Sequence, residues 1–179
     1  MKQILLFSIL LLLFSSCEKQ NTLLKDFVQK DDSAFTYEII KVIEGDSWKE
    51  YIIKMVSQNW LTKNDVEETE WWHWLRIVVP NEVEETEALL FIGGGNHKSN
   101  SPNSADAATI QIAMATRSIV ADISNIPFQP VIFKNDDFGE RVEDDLIAFG
   151  WRHFLENGAK DKDAQWLAHL PMTKAVARG

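Results

Sequence analysis

The run Ala88-Leu-Leu-Phe-Ile92 leads without a spacer into Gly93-Gly94-Gly95-Asn96-His97. Every residue of the run is apolar, so an extended segment there must be covered on both faces. That is the pattern of a strand in the middle of a helix-covered sheet, not of a sheet with one wet side. Past the glycines the spacing changes. Ala108, Ile112, Ala115, Ile119 and Ile123 recur every three or four residues, a helical stripe that Asn103 or Ser104 can cap. A strand that turns through glycine towards a helix is the repeating unit of an α/β protein.

The flanking segments extend that pattern. Phe35 to Ile43 is β-branched and stops at the turn cluster Glu44-Gly45-Asp46-Ser47, and Trp48 to Val56 resumes as a strand, so the two form an antiparallel hairpin. Trp72-His-Trp-Leu-Arg-Ile-Val-Val-Pro80 is a long apolar strand closed by a proline. Later, Val131-Ile-Phe133 reads as a short buried strand and Glu140 to Asn157 as a helix ended by Gly158, with another helix starting at Thr173. The expected fold is therefore α/β: an antiparallel opening hairpin, then a largely parallel sheet flanked by helices. By this reading 1–16 is a signal peptide, 17–33 a tether with a short helix, and 34–179 one domain.

Chemical character concentrates in the glycine loop. Three glycines after a buried strand present N–H groups that no side chain covers, which suits an oxyanion. A loop after the third core strand is where α/β-hydrolases build half of their oxyanion hole, making Gly93, Gly94, Gly95 and Asn96 the candidate donors and His97 a candidate for lining the pocket. A tight strand exit with no chemistry fits the same letters. A phosphate loop does not, because His97 stands where glycine must precede Lys98-Ser99. Nor does a dinucleotide fingerprint, which needs a third glycine three residues on and a helix at once. The nearest approach to a nucleophile elbow, Gly45-Asp-Ser47-Trp-Lys49, lacks its second glycine and reads as a turn.

His73, His97, His153 and His169 are scattered without metal-ligand spacing, so no metal or other cofactor is expected. Asp136, Asp137 and Glu143-Asp144-Asp145 read as loop and helix-start carboxylates. A net charge of −9 argues against nucleic acid as a partner. Trp71, Trp72 and Trp74 crowd one strand, and indoles that dense belong to a core or to a contact surface.

The start of the chain speaks to location. Lys2, an apolar core from Ile4 to Phe14, Ser15-Ser16 and the single cysteine, Cys17, read as an export signal. The apolar stretch is shorter than the roughly 20 residues that a spanning helix needs. The small residues before Cys17 resemble a bacterial lipoprotein processing site, which implies a lipid on that thiol, a membrane as partner and residence in the cell envelope.

Several blocks in order resemble the PhoPQ-activated pathogenicity-related protein family. They are Ser57-Gln-Asn-Trp60, His73 to Pro80, Ala88 to Asn96, Ile126-Pro-Phe-Gln-Pro130, the helix with Glu143-Asp144, and Leu170-Pro-Met-Thr-Lys-Ala-Val176. The resemblance implies an exported bacterial relative of the α/β-hydrolases, acting on an ester or peptide with a serine nucleophile. The family's serine motif, Gly-x-Ser-Lys-Arg-Gly, would follow the helix beginning at Pro171, with the triad carboxylate and histidine later still. On that reading residues 1–179 hold the oxyanion contributor, Gly93 to Asn96, and no catalytic residue. They are the amino-terminal portion of an α/β-hydrolase-like fold, inactive without the remainder. A non-catalytic surface lipoprotein that binds a partner through Trp71, Trp72 and Trp74 is the alternative.

Overall fold

The computed structural model describes residues 22–104 and 106–179. The leader and Cys17 lie outside the described residues. Helix α1 (Leu23–Gln29) is followed by strands β1 (Thr36–Glu44), β2 (Trp48–Asn59), β3 (Glu70–Pro80) and β4 (Ala88–Ile92). Helix α2 (Ala107–Thr116), β5 (Ile119–Ile123), the short strands β6 (Val131–Ile132) and β7 (Glu140–Arg141), α3 (Glu143–Glu156), a 3₁₀ turn (Asp161–Trp166) and α4 (His169–Arg178) complete the order.

Five strands form one sheet in the order β1-β2-β3-β5-β4. The pairs β1/β2, β2/β3 and β3/β5 are antiparallel, and β4/β5 alone is parallel. The expectation of a largely parallel sheet is therefore corrected: the sheet is mixed and mostly antiparallel. Connection length explains it. A parallel neighbour needs a crossover of a dozen or more residues, and only the β4–α2–β5 connection is built that way. The turn at Gly45, whose N–H donates to Trp48 O at 2.9 Å, and the loop between β2 and β3 return the chain antiparallel.

Three local expectations also change. The stripe read as one long helix ends at Thr116, where Arg117 takes a left-handed conformation at φ 49° and the chain re-enters the sheet as β5. Ile119, Val120 and Ile123 are β-branched, and a four-residue spacing of such residues does not by itself separate helix from strand. The cap of α2 is Asp106, not Asn103 or Ser104: its side chain accepts from Thr109 N at 2.8 Å. Val131-Ile132 pairs with β7 in a two-stranded ribbon outside the main sheet.

The register builds two faces. On one, Val42–Tyr51–Ile77–Ala121–Leu90 and Ile39–Ile53–Leu75–Ile123–Ile92 form apolar rows across all five strands. Helix α4 packs on their middle through Met172, Ala175 and Val176. The opposite face carries Val78 and Val120, covered by Ile110, Ile112 and Ala113 of α2. Beyond one end of the sheet, Trp60, Trp71, Phe128 and Phe133 make a further core with Leu146 and Phe149 of α3. Strand β4, expected in the sheet interior, is its edge, and Leu89, Phe91 and Ile92 are exposed.

Candidate functional site

The glycine loop leaves the sheet at the carboxyl end of β4. Gly93 N–H donates to Ile123 O at 2.8 Å, carrying the β4/β5 ladder one residue further. The carbonyls that follow are tied inward. Gly93 O accepts from Ile126 N at 3.2 Å, Gly94 O from Asn125 N at 3.1 Å, and Gly95 O from Gln129 Nε2 at 2.9 Å. With the carbonyls held, the amides of Gly94, Gly95 and Asn96 donate to no other group among the described residues, and all three residues are exposed.

The three glycines differ in why they are small. Gly95 has φ +147°, and a Cβ there would lie 2.6 Å from Asn125 Oδ1, so the backbone demands glycine. A Cβ on Gly93 or Gly94 would meet nothing nearer than 3.6 Å and 3.7 Å. Packing does not require glycine at those two positions; its effect there is an uncovered backbone.

Two residues hold the loop in place. Asn125, left-handed at φ 65°, is anchored from below by His73, whose Nδ1 lies 3.2 Å from Asn125 O. His73 is fully buried, and Ser57 Oγ sits 2.9 Å from its Nε2. Burial pushes the imidazole down to about 4, against backbone hydrogen bonds that favour its charged form. It is therefore neutral at pH 7, with Nδ1–H donating to Asn125 and Nε2 left to accept from the serine hydroxyl. Ser57 and His73 have the spacing of a nucleophile and its base, but both are wholly buried and line none of the cavities described here. They are a structural support.

The second clamp is Gln129, also buried. Its Nε2 reaches Glu143 Oε1 at 2.6 Å as well as Gly95 O, its Oε1 accepts from Glu143 N at 2.8 Å, and its carbonyl accepts from His97 N at 2.8 Å. One amide side chain thus joins the glycine loop to the start of α3. It also brings the Glu143 carboxylate to 3.7 Å from where a Gly94 Cβ would stand. Sequence reasoning passed over Asn125 and Gln129. The signals for them are slight: Gln129 falls within the block Ile126 to Pro130, and Asn125, just before it, is a residue type tolerant of the left-handed conformation.

Gly93 and Gly94 open on a cavity of about 380 Å³ between β4 and α2, with Phe91, Arg76, Asp122 and Thr109 in its wall. Arg76 Nε donates to Asp122 Oδ1 at 2.8 Å. Burial raises the Asp122 carboxyl, and the Arg76 hydrogen bond and charge oppose that rise. The arginine is thus occupied by a carboxylate, and the donors that the loop itself presents are backbone amides. His97 faces a separate cavity of about 190 Å³, stacked on Phe128 at 4.4 Å with its Nε2 2.8 Å from Pro130 O.

The remaining candidates stay apart. Ser47 lies in the turn between β1 and β2, and His153 stacks on Trp166 at 3.7 Å. His169 opens α4 on the surface, and Asp136 is bound to Arg141 Nε at 2.5 Å. Trp71 is buried against Trp60, with ring centroids 5.2 Å apart, so it belongs to the core and not to a contact surface. Trp72 and Trp74 are half-buried and pack edge to face. Among the described residues no three His, Cys, Asp or Glu side chains stand close enough to hold a metal ion. None of the described helices is long and apolar enough to cross a membrane. What the loop can do chemically is donate hydrogen bonds to a carbonyl oxygen or an oxyanion; among the described residues no activated nucleophile stands beside it.

The family model of the PhoPQ-activated pathogenicity-related protein matches residues 24–179. Autocrine proliferation repressor protein A of Dictyostelium discoideum is 36% identical over 171 residues, which are 95% of this chain and 34% of that protein. The chain therefore spans about a third of the length of this curated relative. No solved structure matches it. The match across nearly all of the described residues shows that the chain belongs to the PhoPQ-activated pathogenicity-related protein family.

Proposed function

We propose that these residues form the oxyanion-binding portion of an exported serine hydrolase or peptidase of the α/β-hydrolase type, with the nucleophile, acid and base supplied by polypeptide outside them. The observation that carries the reading is the placement of the bare amides of Gly94, Gly95 and Asn96. They follow β4, which pairs in parallel with β5, itself antiparallel to β3, the second strand of the β2/β3 hairpin. With β1 as an added edge strand, the glycine loop falls between the third strand of that core and the helix after it, where such enzymes take one of their oxyanion donors. Preorganised amides of this kind stabilise a tetrahedral intermediate and need no metal or cofactor.

Export and a lipid on Cys17 belong to the same reading, supported by the order of charge, apolar run, small residues and cysteine. A relative named for autocrine action agrees with export. Cys17→Ala should abolish incorporation of labelled palmitate and move the protein from the membrane to the soluble fraction. An unchanged label would remove the lipoprotein from the account.

The test of chemistry compares this chain with a chimera in which residues 24–179 replace the matched region of the Dictyostelium relative. A fluorophosphonate probe and p-nitrophenyl esters report on a serine nucleophile. The chain alone should take up no probe and hydrolyse no ester, and the chimera should do both. Turnover by the chain itself, or an unlabelled chimera, contradicts the proposal.

A further inference from the structure

On the face of the sheet that α2 covers, Arg76 of β3 lies opposite Asp122 of β5, in the wall of the cavity that Gly93 and Gly94 also line. Each nitrogen of the guanidinium is engaged. Nε and Nη2 both donate to Asp122 Oδ1, at 2.8 Å and 2.5 Å, and Nη1 donates to Ser104 O at 3.1 Å. An arginine fork usually meets both oxygens of a carboxylate, one bond to each. Here both bonds fall on one oxygen. The other, Oδ2, is shut off from solvent and has no partner among the described residues, in a residue only 8% exposed. A buried acceptor without a donor is costly, and a native fold normally supplies one. In a cavity wall, such an oxygen points to a donor carried by a ligand. Asp106 lines the same cavity, but its two oxygens already accept from Thr109 N and Thr109 Oγ1. Two carboxylates thus stand around one guanidinium, and the wall keeps a net negative charge.

We propose that this cavity takes the side chain of a lysine residue, with its ammonium on Asp122 Oδ2 and the carbonyl of the same residue on Gly94 N–H. The occupant follows from charge, shape and length. A wall with one carboxylate in excess favours a cation, and a single free oxygen suits the point charge of an ammonium better than a two-pronged guanidinium. Phe91, Ile92 and Ile112 line the same cavity and offer apolar surface to a four-carbon stem. Asp122 pairs with Phe91, and Gly94 lies three residues further along the chain. At about 3.3 Å per residue that is roughly 10 Å, a span that an extended lysine covers with one hydrogen bond at each end. The volume, about 380 Å³, is at the small end of ligand sites. The inference deepens the hydrolase reading by placing lysine on the acyl side of the bond to be cleaved, and it rests on Gly94 as the oxygen-binding amide.

The test reads binding and not turnover: calorimetric titration of the chain with Nα-acetyl-lysine N-methylamide, against the norleucine analogue that lacks only the ammonium. The lysine compound should bind at least ~10-fold more tightly than the norleucine one, and Asp122→Asn should bring the two within about twofold. Because Asp122→Asn also releases Arg76, Ala108→Phe serves as a second variant. It narrows the cavity from the exposed first turn of α2, leaves the ion pair untouched, and should abolish binding of the lysine compound. Equal affinities for the two compounds overturn the proposal. So does a folded chain that binds neither, or an Ala108→Phe variant that binds lysine as before. A lysine preference in the chain beside a chimera that hydrolyses nothing keeps this site and removes the hydrolase reading. Ester hydrolysis by the chimera with no lysine preference in binding does the reverse.

Discussion

Gly95 and Gly94 are adjacent in sequence but separate in cause. Gly95→Ala places a side chain in a positive-φ conformation and against Asn125, and should cost about 1–3 kcal/mol. Gly94→Ala makes only an ordinary contact with the Glu143 carboxylate, at 3.7 Å, and should leave the urea midpoint unchanged or raise stability by up to about 1 kcal/mol through the unfolded chain. Equal losses at both positions would mean that the loop is held by something other than these contacts. His73 gives a second prediction at this scale. Its folded pKa of about 4 lies below the ordinary histidine value, so between about pH 6.5 and 4 the unfolded state binds a proton that the folded state refuses. Stability is therefore full above that window and falls as the pH drops through it, by about 3 kcal/mol in all. His73→Gln should flatten the pH dependence of the melting temperature across the window while lowering stability at neutral pH. The special character of the glycine triplet was legible in the letters. Its clamps were not, because Asn125 and Gln129 reach it only after the chain has passed through β5 and two prolines.

At the scale of elements, local pattern placed the hairpin, β3, β4 and the last two long helices near their observed positions. It merged α2 and β5 into one helix. The boundary is set by the left-handed Arg117 and by the ladder β5 makes with β3 and β4, and that pairing is invisible to a reading of spacing alone. Helix α2 depends on its cap. Asp106 bonds Thr109 N and Thr109 Oγ1, and its carboxyl is held below the usual range chiefly by the Thr109 amide. Asp106→Ala should therefore cost about 1 kcal/mol and speed amide exchange in the first turn of α2 more than elsewhere. A uniform change across the sheet would show that α2 is not a separable unit. The bounds of strand β4 match the expected run, but its place in the sheet differs for another reason. Its composition is that of an interior strand, while among the described residues it stands at an edge.

For the whole molecule, the sheet has helices on both faces but coverage that ends before the β4 side, and the glycine loop opens at that same side. The mixed sheet could not be read from element order alone, because direction depends on which strand β5 inserts beside. In the proposed chemistry the exposed amide of Gly94 donates to the oxygen that gains charge during ester or peptide cleavage. The most direct measurement is ester hydrolysis by the chimera with Gly94→Pro, which removes that N–H, set against Gly94→Ala, which keeps it. The account predicts that the proline variant loses kcat by about 10²–10³-fold relative to alanine, with KM little changed. Proline and alanine variants with kcat values within about threefold of each other would contradict it.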